Sequence, residues 1–380
     1  MDRMTAVTKY FRILLGPLLA VALAACSDTS TVEPIGTTPV SAATTTVAPE
    51  ATLETATTVA TTTVAPATTT VPTTALPTTT LGAAGVTVLP AVPAIGGSTD
   101  DSIVTPDGRT RTYHVYVPSQ LPAGPVPLLL AFHGGTGWGQ QFERSSGFDG
   151  LAEANGFIVV YPDGVGNGAD ETNLRTWNGG GCCGAAARHN VDDVGFVNQL
   201  LDTLEATYSI DTHRVFATGH SNGGILSYRL ACELSDRIVG AGLQSGTLEI
   251  DRCSPTQPVS LLHIHGTADT NLPIDGGRGA DSIAGVDFVS PRKSIGTLAV
   301  ADGCTTATVE AIIDPTNPDI TIRDWTGCTA GAEVKWMEVR GAGHGWMGRT
   351  SANPNAAPAY QGLDASLTIV TFLLEHPRPS

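Results

Sequence analysis

Charge is scarce in this chain of 380 residues, and positive charge is scarcest: 20 Lys and Arg stand against 36 Asp and Glu, a formal net charge of −16. A surface of that sign repels nucleic-acid backbones, which argues against nucleic acid as a partner. No apolar run is long enough to span a bilayer comfortably; the nearest candidate, "ILLGPLLAVALAA" at 13–25, has about a dozen residues. No C-x-x-C pair meets a second one at zinc-finger spacing, so a zinc site is a weak reading, and neither a metal nor an organic cofactor is expected. Between residues 27 and 97 there is no aromatic side chain, and only Asp28, Glu33, Glu50 and Glu54 are charged. That stretch has too little large apolar surface to offset the entropy of ordering it.

Residues 26–97 are therefore expected to be an extended tether of Thr, Ala, Val and Pro, in which "TTTVAP" occurs at 44–49 and again at 61–66. Tracts of this kind are often O-glycosylated stalks, a plain spacer being the alternative. Ahead of the tether a basic head (Arg3, Lys9, Arg12) precedes the apolar run, the pattern of a secretory signal. "LAAC" at 23–26 resembles the lipobox of bacterial lipoproteins. That implies cleavage after residue 25, acylation of the Cys26 thiol, and a membrane contact made only through that lipid. Ordinary cleavage after Ala22-Leu23-Ala24 would instead release a freely secreted protein; either way the location is extracellular or at the cell envelope.

Residues 98–380 are enough for one well-packed core. They hold Cys182, Cys183, Cys232, Cys253, Cys304 and Cys328, an even number that suggests disulfides in an exported chain. Joining the neighbours Cys182 and Cys183 needs a strained ring. The expectation is that Cys304 pairs with Cys328, while Cys182 and Cys183 reach Cys232 and Cys253 in some order.

Within this domain apolar runs alternate with helical patterns. "RTYHVYVP" has the period of a half-exposed strand, whereas "VPLLLAFHGG" and "GFIVVYPDG" read as strands buried on both faces. Residues 142–155 read as one helix stopped by Gly156. A second helix starts at the acidic pair Asp192-Asp193, read as capping and structural, and places Val194, Val197, Leu200, Leu201 and Leu204 on one face. "RVFATGHS", "IVGAGLQSG", "VSLLHIHGTAD" and "VKWMEVRGAGH" are further strand-then-turn units, and a closing helix is expected from about Asp364 to Glu375. Strands alternating with helices imply a mostly parallel sheet covered on both faces, the α/β class. Chemistry then gathers at the carboxyl ends of the strands, which carry His133-Gly134-Gly135, Asp163-Gly164, Ser221, Asp269 and His344.

"GHSNG" at 219–223 fits the G-x-S-x-G nucleophile elbow, a sharp strand-to-helix turn whose flanking residues must be small. Serine needs a base. Of nine histidines, His344 in "GAGHGW" follows the last apolar strand in a glycine setting that lets an imidazole approach the serine. His263 and His265 share a face of a buried strand and read as core; His220 adjoins Ser221 and is expected to turn away from it. The imidazole needs a carboxylate to fix its tautomer. Asp269 follows a buried strand, and the order Ser221, Asp269, His344 is that of the α/β-hydrolase fold. Asp275, Asp281 and Asp287 read as solvated rivals. The oxyanion needs two backbone N–H donors: one at Asn222, the other from Gly135, with Thr136 next in line.

Taken together, "AFHGGTG", "GFIVVYPDG", "WNGGGCCG", "VDDVGF", "GHSNGG", "HIHGTAD" and "GAGHGW" resemble, in order, the LpqC-like polyhydroxybutyrate depolymerase/feruloyl esterase group of α/β-hydrolases, related to carbohydrate esterase family 1. The resemblance implies a secreted serine carboxylesterase with Ser221, Asp269 and His344 as its triad. Its substrates would be feruloyl or acetyl esters of plant-wall polysaccharide, or short polyhydroxyalkanoate esters. It also implies that Trp177 and the Cys182-Cys183 loop rim the substrate site, to which we add His220 and Trp346. The chain departs from the group at Gly135, where polymer-degrading members tend to carry cysteine, and in "GHGWMG", where many members read Gly-His-(Ser or Thr)-Trp-Pro-Gly; the acyl and alcohol preferences stay open. The absence of a separate polymer-binding module weighs against a dedicated depolymerase. The alternatives are a serine peptidase of the same fold and a non-catalytic envelope or carbohydrate-binding protein on a hydrolase scaffold.

Overall fold

Two-residue alternation in "TRTYHVYV" makes an outer strand, β2 (Thr110–Val117), which buries Tyr113, Val115 and Val117 and pairs antiparallel with β1 (Gly97–Val104). The structure, a computed structural model, describes residues 96–305, 311–350 and 358–379. The expected signal at 1–25, Cys26 and nearly all of the tether lie outside the described residues. The chain divides into units 1–83 and 84–380, and every described residue belongs to the second.

The continuous apolar runs become β3 (Val126–Phe132) and β4 (Ile158–Pro162), buried along their whole length. A small hairpin, β5 (Val165–Asn167) and β6 (Asn173–Thr176), follows. Then come β7 (Ile210–His220), β8 (Gly240–Gln244), β9 (Ser260–Gly266), β10 (Ile312–Ile313), β11 (Ile320–Trp325) and β12 (Val334–Val339). The main sheet runs β1-β2-β4-β3-β7-β8-β9-β12-β11-β10. It is parallel from β4 through β12 and antiparallel at both edges. The helices are α1 (Gly139–Ser146), α2 (Phe148–Asn155), α3 (Gly184–Arg188), α4 (Asp193–Thr207), α5 (Asn222–Glu233), α6 (Pro291–Ala301) and α7 (Ala365–Glu375). Strand β3 serves two cores: Leu128, Leu130 and Phe132 belong to one that also holds side chains of α4, α5 and α6, while Leu129 and Ala131 belong to another that holds those of α1, α2 and α7. This is the α/β-hydrolase fold that the alternating pattern implies.

Three details correct or complete the sequence reading. The single helix expected at 142–155 is two, because Gly147 takes φ 77° and the Arg349 guanidinium occupies the space a Cβ would need there. Cys304 joins Cys328 as expected, but Cys182 and Cys183 do not reach Cys232 and Cys253. Cys232, at the end of α5, has its Cα 4.9 Å from that of Cys253, within bridging range, and the two join each other. Cys182 is left paired with Cys183, across a cis peptide. Asp192 caps α4, accepting the Gly195 N–H at 2.8 Å, and Asp193 is buried against Arg111 Nη2 and the Asn178 N–H, each at 2.7 Å. Both carboxylates are structural.

A buried carboxylate at the end of α6 gives the first prediction. Asp302 is 1% exposed; its Oδ1 accepts only a 3.4 Å bond from the Val259 N–H, and its Oδ2 has no partner among the described residues. Burial, little offset by that N–H, pushes its pKa up to about 7. The folded state thus holds this proton more tightly than the unfolded chain, so stability falls as pH rises from about 4 to 7 and is flat above. Asp302→Asn removes the charge; it should raise stability at pH 8 by roughly 3–4 kcal/mol and flatten the decline between pH 4 and 7. Denaturant melts of both proteins across that range check this. A variant less stable than the parent at pH 8 contradicts it.

Candidate active site

Strand β7 ends at His220 and α5 begins at Asn222, leaving Ser221 alone on the turn between them. Its backbone takes φ 55° and ψ −120°, a region that a side chain rarely adopts. The turn is held on both sides: the Ser221 N–H donates to the Gln244 carbonyl at 3.0 Å, and the Ile225 N–H donates to the Ser221 carbonyl at 2.9 Å. A Cβ on Gly219 would strike the Gly223 backbone, and one on Gly223 would strike the Phe132 carbonyl, so both flanking positions must be glycine. The spacing of glycines read from the sequence is therefore a steric requirement of this turn.

Asp269 and His344 come together from loops that follow β9 and β12. His344 Nδ1 lies 2.8 Å from Asp269 Oδ2 and 3.0 Å from Oδ1. The Asn271 and Leu272 N–H groups both donate to Asp269 Oδ1 at 2.9 Å. Burial alone would raise this carboxyl. The hydrogen bond from His344, the charges of His344 and His265 and the Leu272 N–H outweigh it and hold Asp269 well below the usual carboxylate range. A carboxylate so held requires Nδ1 of His344 to carry its proton, which leaves Nε2 free to act as a base. Of the rival acids, Asp281 borders a cleft lined also by His344, but none of the rivals bonds to the imidazole.

Gly135 and Asn222 are neighbours: a Cβ on Gly135 would lie 3.7 Å from Asn222 Cβ. Neither backbone N–H has a protein acceptor among the described residues. Thr136 is different, since its N–H already donates to the Arg175 carbonyl at 2.7 Å. This corrects the pair named as alternatives: Gly135 has a free N–H, and Thr136 does not.

Ser221, His344, Gly135 and Asn222 all line one cavity of about 530 Å³. A second cleft, of about 620 Å³, lies across His344 and is walled by Phe142, Trp346 and Arg349. His220 borders both; its Nε2 donates to the His344 carbonyl at 2.6 Å, and burial, with the charge of His344 adding to it, pushes its pKa down to about 3. It stays neutral and steadies the His344 loop. Trp177 is not at the rim: its indole is fully buried against Phe132 and His133, and Thr176 and Cys183 line the cavity instead. Trp346 is 8% exposed, packs edge-on to Phe142 and His220, and donates Nε1–H to Ser366 Oγ.

Sequence reasoning missed the residues that brace this site. His133 Nδ1–H donates to the Gly134 carbonyl at 2.7 Å, and Nε2 accepts the Gly164 N–H at 3.0 Å; burial pushes its pKa down to about 4, so it fixes the Gly134 turn as a neutral ring. The Asn222 side chain bonds both the N–H and the carbonyl of Trp177, at 2.7 and 3.0 Å. Gln244 is fully buried and bonds the Gly345 carbonyl and the Met347 N–H, each at 2.9 Å, pinning the chain beyond His344. Its place at the carboxyl end of β8 was the only available signal. His263 and His265 are core residues, as read. They form a directed chain in which Tyr228 O–H reaches His263 Nδ1 (2.7 Å), His263 Nε2 meets His265 Nδ1 (3.0 Å) and His265 Nε2 meets the Leu272 carbonyl (2.8 Å).

Among the described residues, no three His, Cys, Asp or Glu side chains gather as a metal site would require, and no helix is long and apolar enough to cross a membrane. The family model described as "Putative esterase" matches residues 105–275. The "Putative esterase NocK" of Nocardia uniformis subsp. tsuyamanensis is 30% identical over 307 residues, covering 74% of this chain and 84% of that protein. The bifunctional acetylxylan esterase/xylanase XynS20E of Neocallimastix patriciarum is 30% identical over 62% of this chain but 31% of its own length. Feruloyl esterase B of Piromyces equi is 27% identical over 58% of this chain and 39% of its own. The chain thus spans less than half the length of these two relatives.

Proposed function

The chain belongs to the "Putative esterase" family, and from that premise we propose that it is a serine carboxylic ester hydrolase working by two-step acyl transfer at Ser221. The observation that carries the assignment is the His344–Asp269 pair at 2.8 Å, with its imidazole bordering the cavity that holds a serine on a strained strand-to-helix turn. His344 Nε2 takes the Ser221 proton as the hydroxyl attacks an ester carbonyl. The free N–H groups of Gly135 and Asn222 receive the charge that develops on the carbonyl oxygen. His344 then gives its proton to the leaving alcohol. Water, deprotonated by the same imidazole, releases the acid and restores Ser221. No step needs a metal or cofactor.

The relatives named for acetylxylan and feruloyl esters favour plant-wall polysaccharide esters as substrates. Short polyhydroxyalkanoate esters, the finer placement suggested by the motif order, are the second substrate class. We place the enzyme outside the cell, with residues 1–25 as signal, 26–97 as tether, 98–380 as the catalytic domain and Cys26 as a lipid anchor. A panel of methyl ferulate, acetylated xylan and hydroxybutyrate oligomers tests the substrate reading, and rapid acid quench with peptide mass analysis tests the intermediate. An acyl mass on the peptide bearing Ser221, with turnover of at least one wall ester, is expected. Acyl mass on another residue, or no ester turnover, overturns the assignment.

A further inference from the structure

The cavity that holds Ser221 carries a charge pattern that acyl transfer does not require. The chain has 36 Asp and Glu against 20 Lys and Arg, yet among the described residues no carboxylate lines this cavity. Its wall holds one Lys or Arg, which is Arg188 in the last turn of α3. Arg349, which borders the cleft across His344, is neutralised by Asp364 at 2.9 Å. Arg188 has no such partner among the described residues: its side chain makes a single hydrogen bond, from Nη2 to Asn167 Oδ1 at 3.0 Å. A guanidinium offers five N–H donors in a planar fork that matches a carboxylate, so most of this one is open. Leu174, Ile225, Ile283 and Phe288 supply apolar surface to the remaining wall.

We propose that Arg188 anchors a carboxylate subsite, so that the preferred esters carry a carboxylate which docks on Arg188 while their carbonyl meets Ser221. The proposal rests on the esterase reading of the same cavity and adds the substrate's charge to it. An acidic protein repels anionic substrates from most of its surface; a lone cation on an acid-free wall reverses that locally. Two substrate sources share this chemistry: a hexuronate residue beside the ester on a wall oligosaccharide, and the free terminal carboxyl of a polyester oligomer. A neutral sugar would leave the exposed guanidinium to water and gain nothing from its charge.

The test is a ratio of kcat/KM for matched acid and neutral esters. The pairs are mono-p-nitrophenyl adipate against p-nitrophenyl hexanoate, a hydroxybutyrate trimer against its methyl ester, and acetylated xylan oligomers with and without hexuronate. Arg188→Gln should lower the acid-to-neutral ratio about tenfold, mainly through KM, and Arg188→Lys should restore part of it. High salt should shrink the ratio of the unaltered protein. The second and third pairs separate the two sources. Ratios that do not move in Arg188→Gln for any pair overturn the subsite. Failure of the unaltered protein on every ester, acid and neutral alike, instead defeats the esterase reading. Calorimetric binding of the adipate monoester to Ser221→Ala and to Ser221→Ala/Arg188→Gln then judges the subsite alone: tighter binding by the former supports it, and equal binding ends it.

Discussion

Ser221→Ala should lower kcat on p-nitrophenyl acetate or butyrate by about 10⁵–10⁶-fold and leave the melting temperature within a degree or two of the parent. That loss corresponds to roughly 7–8 kcal/mol of transition-state stabilisation. The size follows from what the hydroxyl does: without it no acyl-enzyme forms, and water must attack directly. The Gly135 and Asn222 N–H groups remain, so a residual rate above the uncatalysed one is expected. Stability should hold because the turn is fixed by backbone bonds, the Ser221 N–H to Gln244 and the Ile225 N–H to Ser221, which alanine keeps. Among the described residues the hydroxyl of Ser221 has no hydrogen-bond partner that would be stranded. A Ser221→Ala protein with activity equal to the parent would mean that the ester hydrolysis arises elsewhere.

How much of this could be read from residues alone depends on how local the constraint is. The elbow was legible because Gly219 and Gly223 flank Ser221 within five residues, although the backbone that closes the space at Gly223 is that of Phe132 in β3. The sheet was legible because strands buried on both faces have to be apolar throughout, as β3 and β4 are. Asp269 and His344 were legible from chain order, since each follows a buried strand. The bracing shell was not. Gln244 grips a loop 101 residues away, and the Asn222 amide bonds a backbone 45 residues back. Neither partner leaves a pattern in the local sequence. The split of 142–155 into α1 and α2 was hidden for the same reason, because the space at Gly147 is filled by Arg349 from a distant loop. The expectation held for Cys304–Cys328 but failed for Cys182 and Cys183, by weighing ring strain there without knowing that the end of α5 lies beside Cys253. Trp177 shows the limit of motif order: a tryptophan within a site motif can still lie beneath the site, and its burial is a property of the packed core.

Asp269→Asn should lower kcat by about 10⁴-fold with a much smaller change in KM, while the protein stays folded. The geometry gives the reason. Asp269 Oδ1 accepts the Asn271 and Leu272 N–H groups, and an amide oxygen can continue to do so. The other position, Oδ2, becomes an NH₂ group 2.8 Å from His344 Nδ1. Two donors cannot face each other, so His344 is driven to the tautomer that accepts at Nδ1 and carries its proton on Nε2. That nitrogen is then unable to take the Ser221 proton. Loss of the carboxylate charge also removes what stabilises the imidazolium formed in the transition state. The stability effect has its own sign. The folded Asp269 carboxyl sits below its unfolded value, so its contribution is present above about pH 4 and is lost on acidification. The variant should accordingly be less stable than the parent at neutral pH and should converge with it in acid. Steady-state kinetics with denaturant melts at two pH values separate these effects. A kcat within tenfold of the parent would show that His344 needs no carboxylate at this position, and the assignment of Asp269 would have to be withdrawn.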